Sequence, residues 1–424
     1  MPLMEIIVMA KLKKQEFKVG RQPIICVTLS DIHIGHQPVE QLEKEFYDEE
    51  NGFFTQLDGI VEYCKENDII FGGVAITGDY WNHQLSLNSP HARFGLALAH
   101  ALAAIVITQY GGKVIFVRGT RSHDLNQLAL LETLTYEYED QFFIFDTVAS
   151  MEIHGYDVLI IPEEYMKNPD EYYKEFFDRK WDLILGHGFF AFNNFSKNEV
   201  ERPMPEMPIF DQEQFITMAR AIIFGHDHGH KSYRDVLQYN GSWSRLCHGE
   251  EDEKGGLIVY LDDGQVDIDR MINTLAPTFQ SVALEKLVKG ELNFETAVKA
   301  IEKLKTKVDF LKIKVSLDTV KENPAMVELI SATFASQYKR GIIIESPPFS
   351  RKDGELVILA REQANDEEGE VSVEERREAN KFGFLFESGL HVDEKVERFI
   401  IAKHGEAAAI DLDDIRDALS DSDK

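Results

Sequence analysis

The stretch Ala221-Ile222-Ile223-Phe224-Gly225-His226-Asp227-His228 decides how the rest of this chain is read. Four apolar residues predict a buried strand, and the glycine lets the chain turn sharply as it leaves the sheet. Residues two apart in extended chain point to one side, so His226 and His228 present two imidazoles together. That is half a metal site. Four other apolar runs end in the same way. Ile24 to Leu29 leads into Ser30-Asp31-Ile32-His33, and Ile69 to Thr77 into Gly78-Asp79. Val114 to Val117 leads into Arg118-Gly119-Thr120-Arg121-Ser122-His123-Asp124, and Leu183 to Leu185 into Gly186-His187. Each run delivers an Asp or His at its carboxyl end, where open α/β sheets place their ligands.

Together these ends supply Asp31, His33, Asp79, His187, His226 and His228. A carboxylate and imidazole set of this size suits two transition-metal ions, and manganese, iron and zinc all fit such donors. One carboxylate has to bridge ions roughly 3.5–4 Å apart. Asp79, isolated after Gly78, is the natural bridge. His123 sits on a turn from which it can reach a phosphate, stabilise charge there or protonate a leaving oxygen. His36, His91, His100, His154, His230, His248, His391 and His404 read as surface or core residues, with His83 an intermediate case.

The 424 residues are long for one domain, and 44% hydrophobic content supports an ordinary packed core. No apolar run approaches the roughly 18 residues of a membrane span. The N-terminus has no signal-peptide pattern, and the three cysteines, Cys26, Cys64 and Cys247, form no paired motif. The expectation is a cytoplasmic protein without a membrane; a phage protein acting in a bacterial cytoplasm is one setting its acidity suits. A net charge of −29 argues against a general nucleic-acid coat. It leaves room for a nuclease, because bound cations and a local basic patch can attract phosphate.

Strand and helix alternate from Ile24 to about Asp269, the pattern of an α/β sandwich. Glu43 to Lys65 and His91 to Tyr110 read as helices. Phe189 to Asp211, with Pro203, Pro205 and Pro208, reads as a loop on the rim of the site. A small α/β cap follows at 270–350. It carries the main basic cluster, eight lysines against five acids between Glu285 and Lys314. Lys299, Lys303, Lys305, Lys307, Lys312 and Lys314 are its candidate phosphate-backbone contacts. From Asp353 onward there are 21 acids against nine Lys and Arg. Residues 351–390 read as an acidic linker. Residues 391–424 read as two short amphipathic helices, capped by Asp393 and Asp411, that dock another protein.

The order Asp-x-His, Gly-Asp, Gly-Asn-His-Asp/Glu, Gly-His, Gly-His-x-His is the signature of calcineurin-like metallophosphoesterases. The chain resembles that family, and within it the SbcD-type nuclease subunit of double-strand-break repair complexes. Asn88-Ser89-Pro90, Gly241-Ser242-Trp243-Ser244-Arg245 and Gly249-Glu250-Glu251-Asp252-Glu253-Lys254-Gly255-Gly256 carry the closer likeness. It is specific over about 24–260 and lies only in the order of parts beyond. The resemblance implies a four-layered α/β/β/α sandwich (residues 1–269) with a small α/β capping domain and C-terminal helices. It implies two divalent ions, manganese foremost. Asp31, His33, Asp79 and His228 would hold one, and Asp79, His187 and His226 the other. His123 and Asp124 would be catalytic. The partners implied are DNA on the cap, an SbcC-type ATPase with coiled-coil arms on the C-terminal helices, and a second copy of the chain.

The chain departs from the pattern at its third motif. Ser122 stands where the second ion's Asn ligand is expected, and Arg121, from a two-residue insertion, could add a phosphate contact. His83 lies four residues past Asp79, not three. Two other readings stay open on sequence alone: an enzyme acting on a smaller phosphodiester or a phosphoprotein, and a scaffold with a weakened site.

Overall fold

The computed structural model describes residues 20–124, 127–166, 168–192, 208–335, 341–347, 349–352 and 355–358. The chain divides into two units, Met1–Val357 and Ile358–Lys424, and all the described residues but Ile358 belong to the first. Residues 1–19, the Pro-rich residues 193–207, the stretch read as linker beyond 358 and the expected C-terminal helices lie outside the described residues.

Two six-stranded sheets form the body. In the first, β1 (Ile24–Leu29), β2 (Ile70–Thr77), β3 (Lys113–Val117) and β4 (Phe142–Phe145) run parallel. In the second, β5 (Ala149–Ile153) lies antiparallel to β6 (Tyr156–Ile161), which runs parallel to β7 (Trp181–His187). Between the sheets' strands a parallel pair of two-residue strands, β8 (Phe189–Phe190) and β9 (Ile209–Phe210), closes the stretch expected as loop. Burial of Phe189, Phe190 and Phe210 anchors this pair. β10 (Ala219–Gly225) pairs with β7, and β12 (Leu237–Tyr239) with β10, both parallel; β11 (Lys231–Tyr233) is the antiparallel edge. β13 (Gly255–Leu261) and β14 (Val266–Ile272) complete the first sheet on its β1 side, antiparallel.

The sheets pack face to face because their central strands are apolar on both sides. Along β1, Ile24 and Cys26 face the second sheet while Ile25, Val27 and Leu29 face helices. Along β10, Ala221 and Ile223 face the first sheet, and Ile222 and Phe224 face the opposite way. Helices Phe53–Glu66 and Pro90–Leu102 cover the first sheet, and Gln212–Met218 covers the second. The result is a four-layered α/β/β/α sandwich with three apolar layers between its four tiers.

One expected helix is two. Glu43 to Lys65 breaks into Val39–Tyr47 and Phe53–Glu66. The carboxylate of Asp48 accepts from the amides of Glu50 and Asn51, and Gly52 caps the second helix, so turn chemistry overrides the apolar periodicity. The second expected helix starts at Pro90, with Ser89 Oγ accepting from the Ala92 amide at 3.0 Å. It continues through wide turns to Gln109. Among the described residues it is the one helix long and apolar enough to cross a membrane, and it buries Phe94, Leu98, Leu102 and Val106 on the first sheet.

The cap has its own core. β15 (Phe279–Ala283), β16 (Phe310–Lys314) and β17 (Ile342–Glu345) form a parallel sheet. Ile301, Val327, Ile330 and Phe334 pack on it from helices Phe294–Lys305 and Pro324–Ala335. β18 (Phe349–Lys352) and β19 (Glu355–Ile358) pair beyond it, running from the last residues read as cap into the first of the stretch read as linker.

Candidate metal centre

The six donors read from sequence come together because β1 and β2, paired in parallel, end beside the parallel pair β7 and β10. That approach requires glycine. At Gly78 (φ +91°) a Cβ would lie 2.1 Å from His187 Nδ1, and at Gly119 one would lie 2.1 Å from the Asp79 amide nitrogen. Nine non-glycine residues among those described have positive φ, and four of them are Asp31, His33, Asp79 and His226. Left-handed backbone in residues with side chains is strain that the surrounding structure must hold, and here it gathers at the donors.

Asp31, His33 and His228 form one cluster. His33 Nε2 is 3.1 Å from His228 Nε2, and Asp31 Oδ1 is 4.0 and 3.9 Å from those two nitrogens. Asp79, His187 and His226 form another, with His187 Nε2 3.4 Å from Asp79 Oδ2 and 3.3 Å from His226 Nδ1. Asp79 Oδ2 also lies 3.9 Å from His33 Nε2, so one carboxylate touches both clusters. A third grouping joins His33, Asp79 and His123.

The side chains fit divalent ions. His228 Nδ1 faces Glu250 Oε1 at 2.8 Å, and His187 Nδ1 faces the Thr77 carbonyl at 2.8 Å. In its neutral form each carries its proton on that outer nitrogen, leaving the Nε2 lone pair turned inward. His33 Nδ1 is buried with no hydrogen-bond partner among the described residues, so its ring is oriented by what Nε2 faces. Converging lone pairs and carboxylates call for a cation. Electrostatics separate the two rings. Burial holds His33 well below the usual imidazole range, in its ligating neutral form. Burial also opposes charge on His187, but Asp79, with Asp31 and Glu163, outweighs it and raises that ring's pKa. Asp79 is pushed up by burial and pulled further down by His187, His33 and His123, so it stays ionised.

His123 is half-buried, its ring centroid 4.7 Å from that of His33, and its Nδ1 bonds the Asn82 carbonyl. Asp124 sits elsewhere. Its fully buried carboxylate accepts from the amides of Trp81 (3.0 Å) and Gly119 (2.8 Å), which makes it a brace for the turn. Burial and then the charge of Asp79 push it up to about 7. The register drawn through the third motif needs correction. Ser122 and Arg121 are exposed, and Arg121 lies over the Tyr165 ring at 5.9 Å. Thr120 is the residue against the donors, its Oγ1 3.1 Å from Asp79 Oδ2 and 3.3 Å from His226 Nδ1. The two extra residues loop outward, so counting from the histidine picks the wrong hydroxyl. His83 is exposed beside Asn82.

The segment from Gly241 to Gly256 braces the centre. Lys254, buried, donates to the His228 carbonyl at 2.7 Å and pairs with Glu250 at 3.3 Å. Burial alone would raise Glu250, but His228 and Lys254 hold it down to about 2. In the cap, Lys299, Lys303, Lys307 and Lys314 are exposed. Lys305 is engaged by the carbonyls of Val308 (3.1 Å) and Asp309, and Lys312 is 4.0 Å from Glu345. One carboxylate beside the donors was missed from sequence. Glu163, two residues past β6, places Oε2 3.2 Å from His226 Nδ1. Its signal was the strand-end rule itself, which applies to Tyr156–Ile161 as to the other runs.

No family model and no curated relative matches the chain. Solved structures are similar to it. An archaeal phosphodiesterase is 13% identical, with 58% of this chain and 99% of that one covered and a TM-score of 0.28. Another crystal structure is also 13% identical, covering 59% and 99%, with a TM-score of 0.31. Likeness this loose carries no function across, so any functional reading has to stand on the side chains.

Proposed function

We propose that the chain is a two-metal phosphodiesterase of the metallophosphoesterase type, and that its substrate is DNA. The observation that carries the reading is Asp79 touching two imidazole clusters at the carboxyl ends of a sandwich's strands. Asp31, His33, Asp79 and His228 would hold one ion, and Asp79, His187 and His226 the other. Divalent ions so held supply Lewis acidity to a phosphoryl oxygen and activate water for in-line attack.

The chain's own groups do the rest. Glu250 and the Thr77 carbonyl fix the tautomers of His228 and His187. The Asn82 carbonyl fixes His123 with Nε2 free to exchange a proton with the leaving oxygen. Support for DNA is the family resemblance together with the exposed lysines of the cap. Manganese as the ion, an SbcC-type ATPase on the C-terminal segment, pairing of two chains and a cytoplasmic setting belong to the same proposal. The acidity of the whole chain favours, as second reading, a smaller phosphodiester. A manganese titration on linear duplex DNA and on bis-p-nitrophenyl phosphate, with His123→Ala as blank, separates them. Cleavage of both, lost in the variant, supports the nuclease. Cleavage of the small ester alone supports the second reading, and cleavage of neither removes both.

A further inference from the structure

We propose that Glu163 is a ligand of the second ion, giving from the end of β6 the oxygen donor that the third motif lacks. This rests on the two-ion reading of the centre. Glu163 Oε2 lies 3.2 Å from His226 Nδ1, 3.8 Å from His187 Nε2 and 3.4 Å from Thr120 Oγ1. His187 Nε2 is in turn 3.4 Å from Asp79 Oδ2. Donors about 2.1 Å from a common ion sit roughly 3–4.2 Å apart, depending on the angle between them. These separations are those of one coordination shell.

The placement follows from topology. β6 pairs in parallel with β7, Ile161 opposite Gly186, so the residues just past Ile161 emerge beside His187. The carboxylate is fixed there. Glu163 Oε1 accepts from the Tyr165 hydroxyl at 2.6 Å, and the Glu163 amide donates to the Arg118 carbonyl at 3.1 Å. The side chain is 1% exposed, and an anion so buried is costly unless a positive charge answers it. The chemistry differs from that of the family pattern. A neutral amide is replaced by an anion, so the centre gathers three carboxylates, Asp31, Asp79 and Glu163. Such a set binds hard ions such as manganese firmly. The second ion is then tightly held, against the loose binding that a serine at this position would imply.

The competing role is a hydrogen-bond acceptor that merely orients His226. Manganese binding by the full-length protein, followed by the loss of the free-ion paramagnetic resonance signal, distinguishes the two. The wild type is expected to show two sites. Glu163→Gln should leave the first unchanged and weaken the second at least tenfold. Tyr165→Phe, a milder change that frees the carboxylate, should weaken the second several-fold and serves if Glu163→Gln fails to fold. Second-site affinity equal to wild type in the folded variants would overturn the proposal. A wild type with no second site would instead overturn the two-ion reading itself.

Discussion

Asp182 and His187 stand near opposite ends of one strand, β7, and their surroundings treat buried charge in opposite ways. Asp182 is closed. It accepts from Arg21 Nη1 at 2.6 Å, Arg21 Nη2 at 3.2 Å, Arg220 Nη1 at 3.1 Å and the Asp157 amide at 3.0 Å. Arg220 also donates to the Gln265 carbonyl at 3.1 Å and Arg21 to Asp263 at 2.6 Å, both in the turn of the β13–β14 hairpin. The clamp therefore ties the second sheet to the first. His187 is open. Its neighbours are carboxylates, another imidazole and the Thr77 carbonyl, and the carboxylates raise its pKa against its burial. One end spends its charges on holding the sheets together; the other keeps them for ions, and holds four donors in left-handed backbone to do so.

The contrast can be broken from either end. Asp182→Ala leaves two guanidinium groups facing each other and should cost about 2–3 kcal/mol in urea unfolding, since Arg21 is partly solvated. Manganese affinity should stay unchanged; a coupled loss would mean that the ends are not independent. Glu250→Gln should act on the ion as well as on the fold. Without its charge the His228 imidazole is a poorer and less fixed ligand, so the first ion should bind about 10–100-fold more weakly. Unfolding of the metal-free chain should also weaken, by about 1–3 kcal/mol, because the buried Lys254 loses Glu250 and keeps Asp252 and the His228 carbonyl. The smallest effect is on acid stability. Burial raises Asp182, but Arg21, the Asp157 amide and Arg220 outweigh it and hold its pKa below the usual value. Its contribution is thus complete above the unfolded pKa of about 4 and lost as pH falls through the lower folded value. A stability profile of Asp182→Asn should lack that acid limb; an identical limb would assign it to other carboxyls.

Much of this was legible in the sequence because the strands announce themselves twice. Ala221 to Phe224 is apolar on both faces, which marks a strand between two layers, and the Gly-His-x-His that follows marks its carboxyl end. The donors could be named without contacts because strand ends converge in such sheets. Glu163 escaped because Pro162-Glu163-Glu164 has neither a glycine exit nor an imidazole, although β6 ends on the same edge. Thr120 escaped because sequence spacing cannot tell which residues of a lengthened turn loop out. The break at Asp48 escaped because apolar periodicity resumes in phase beyond Gly52. The clamp at Asp182 gave no signal at all, since its arginines lie at Arg21 and Arg220, far away in the chain.

The central claim is that one carboxylate, Asp79, joins two ions. Counting manganese retained per chain after gel filtration, for the wild type and for Asp79→Asn, tests it most directly. The geometry predicts two ions in the wild type and fewer than one in the variant. Two ions retained by both chains, or none by the wild type, would contradict it.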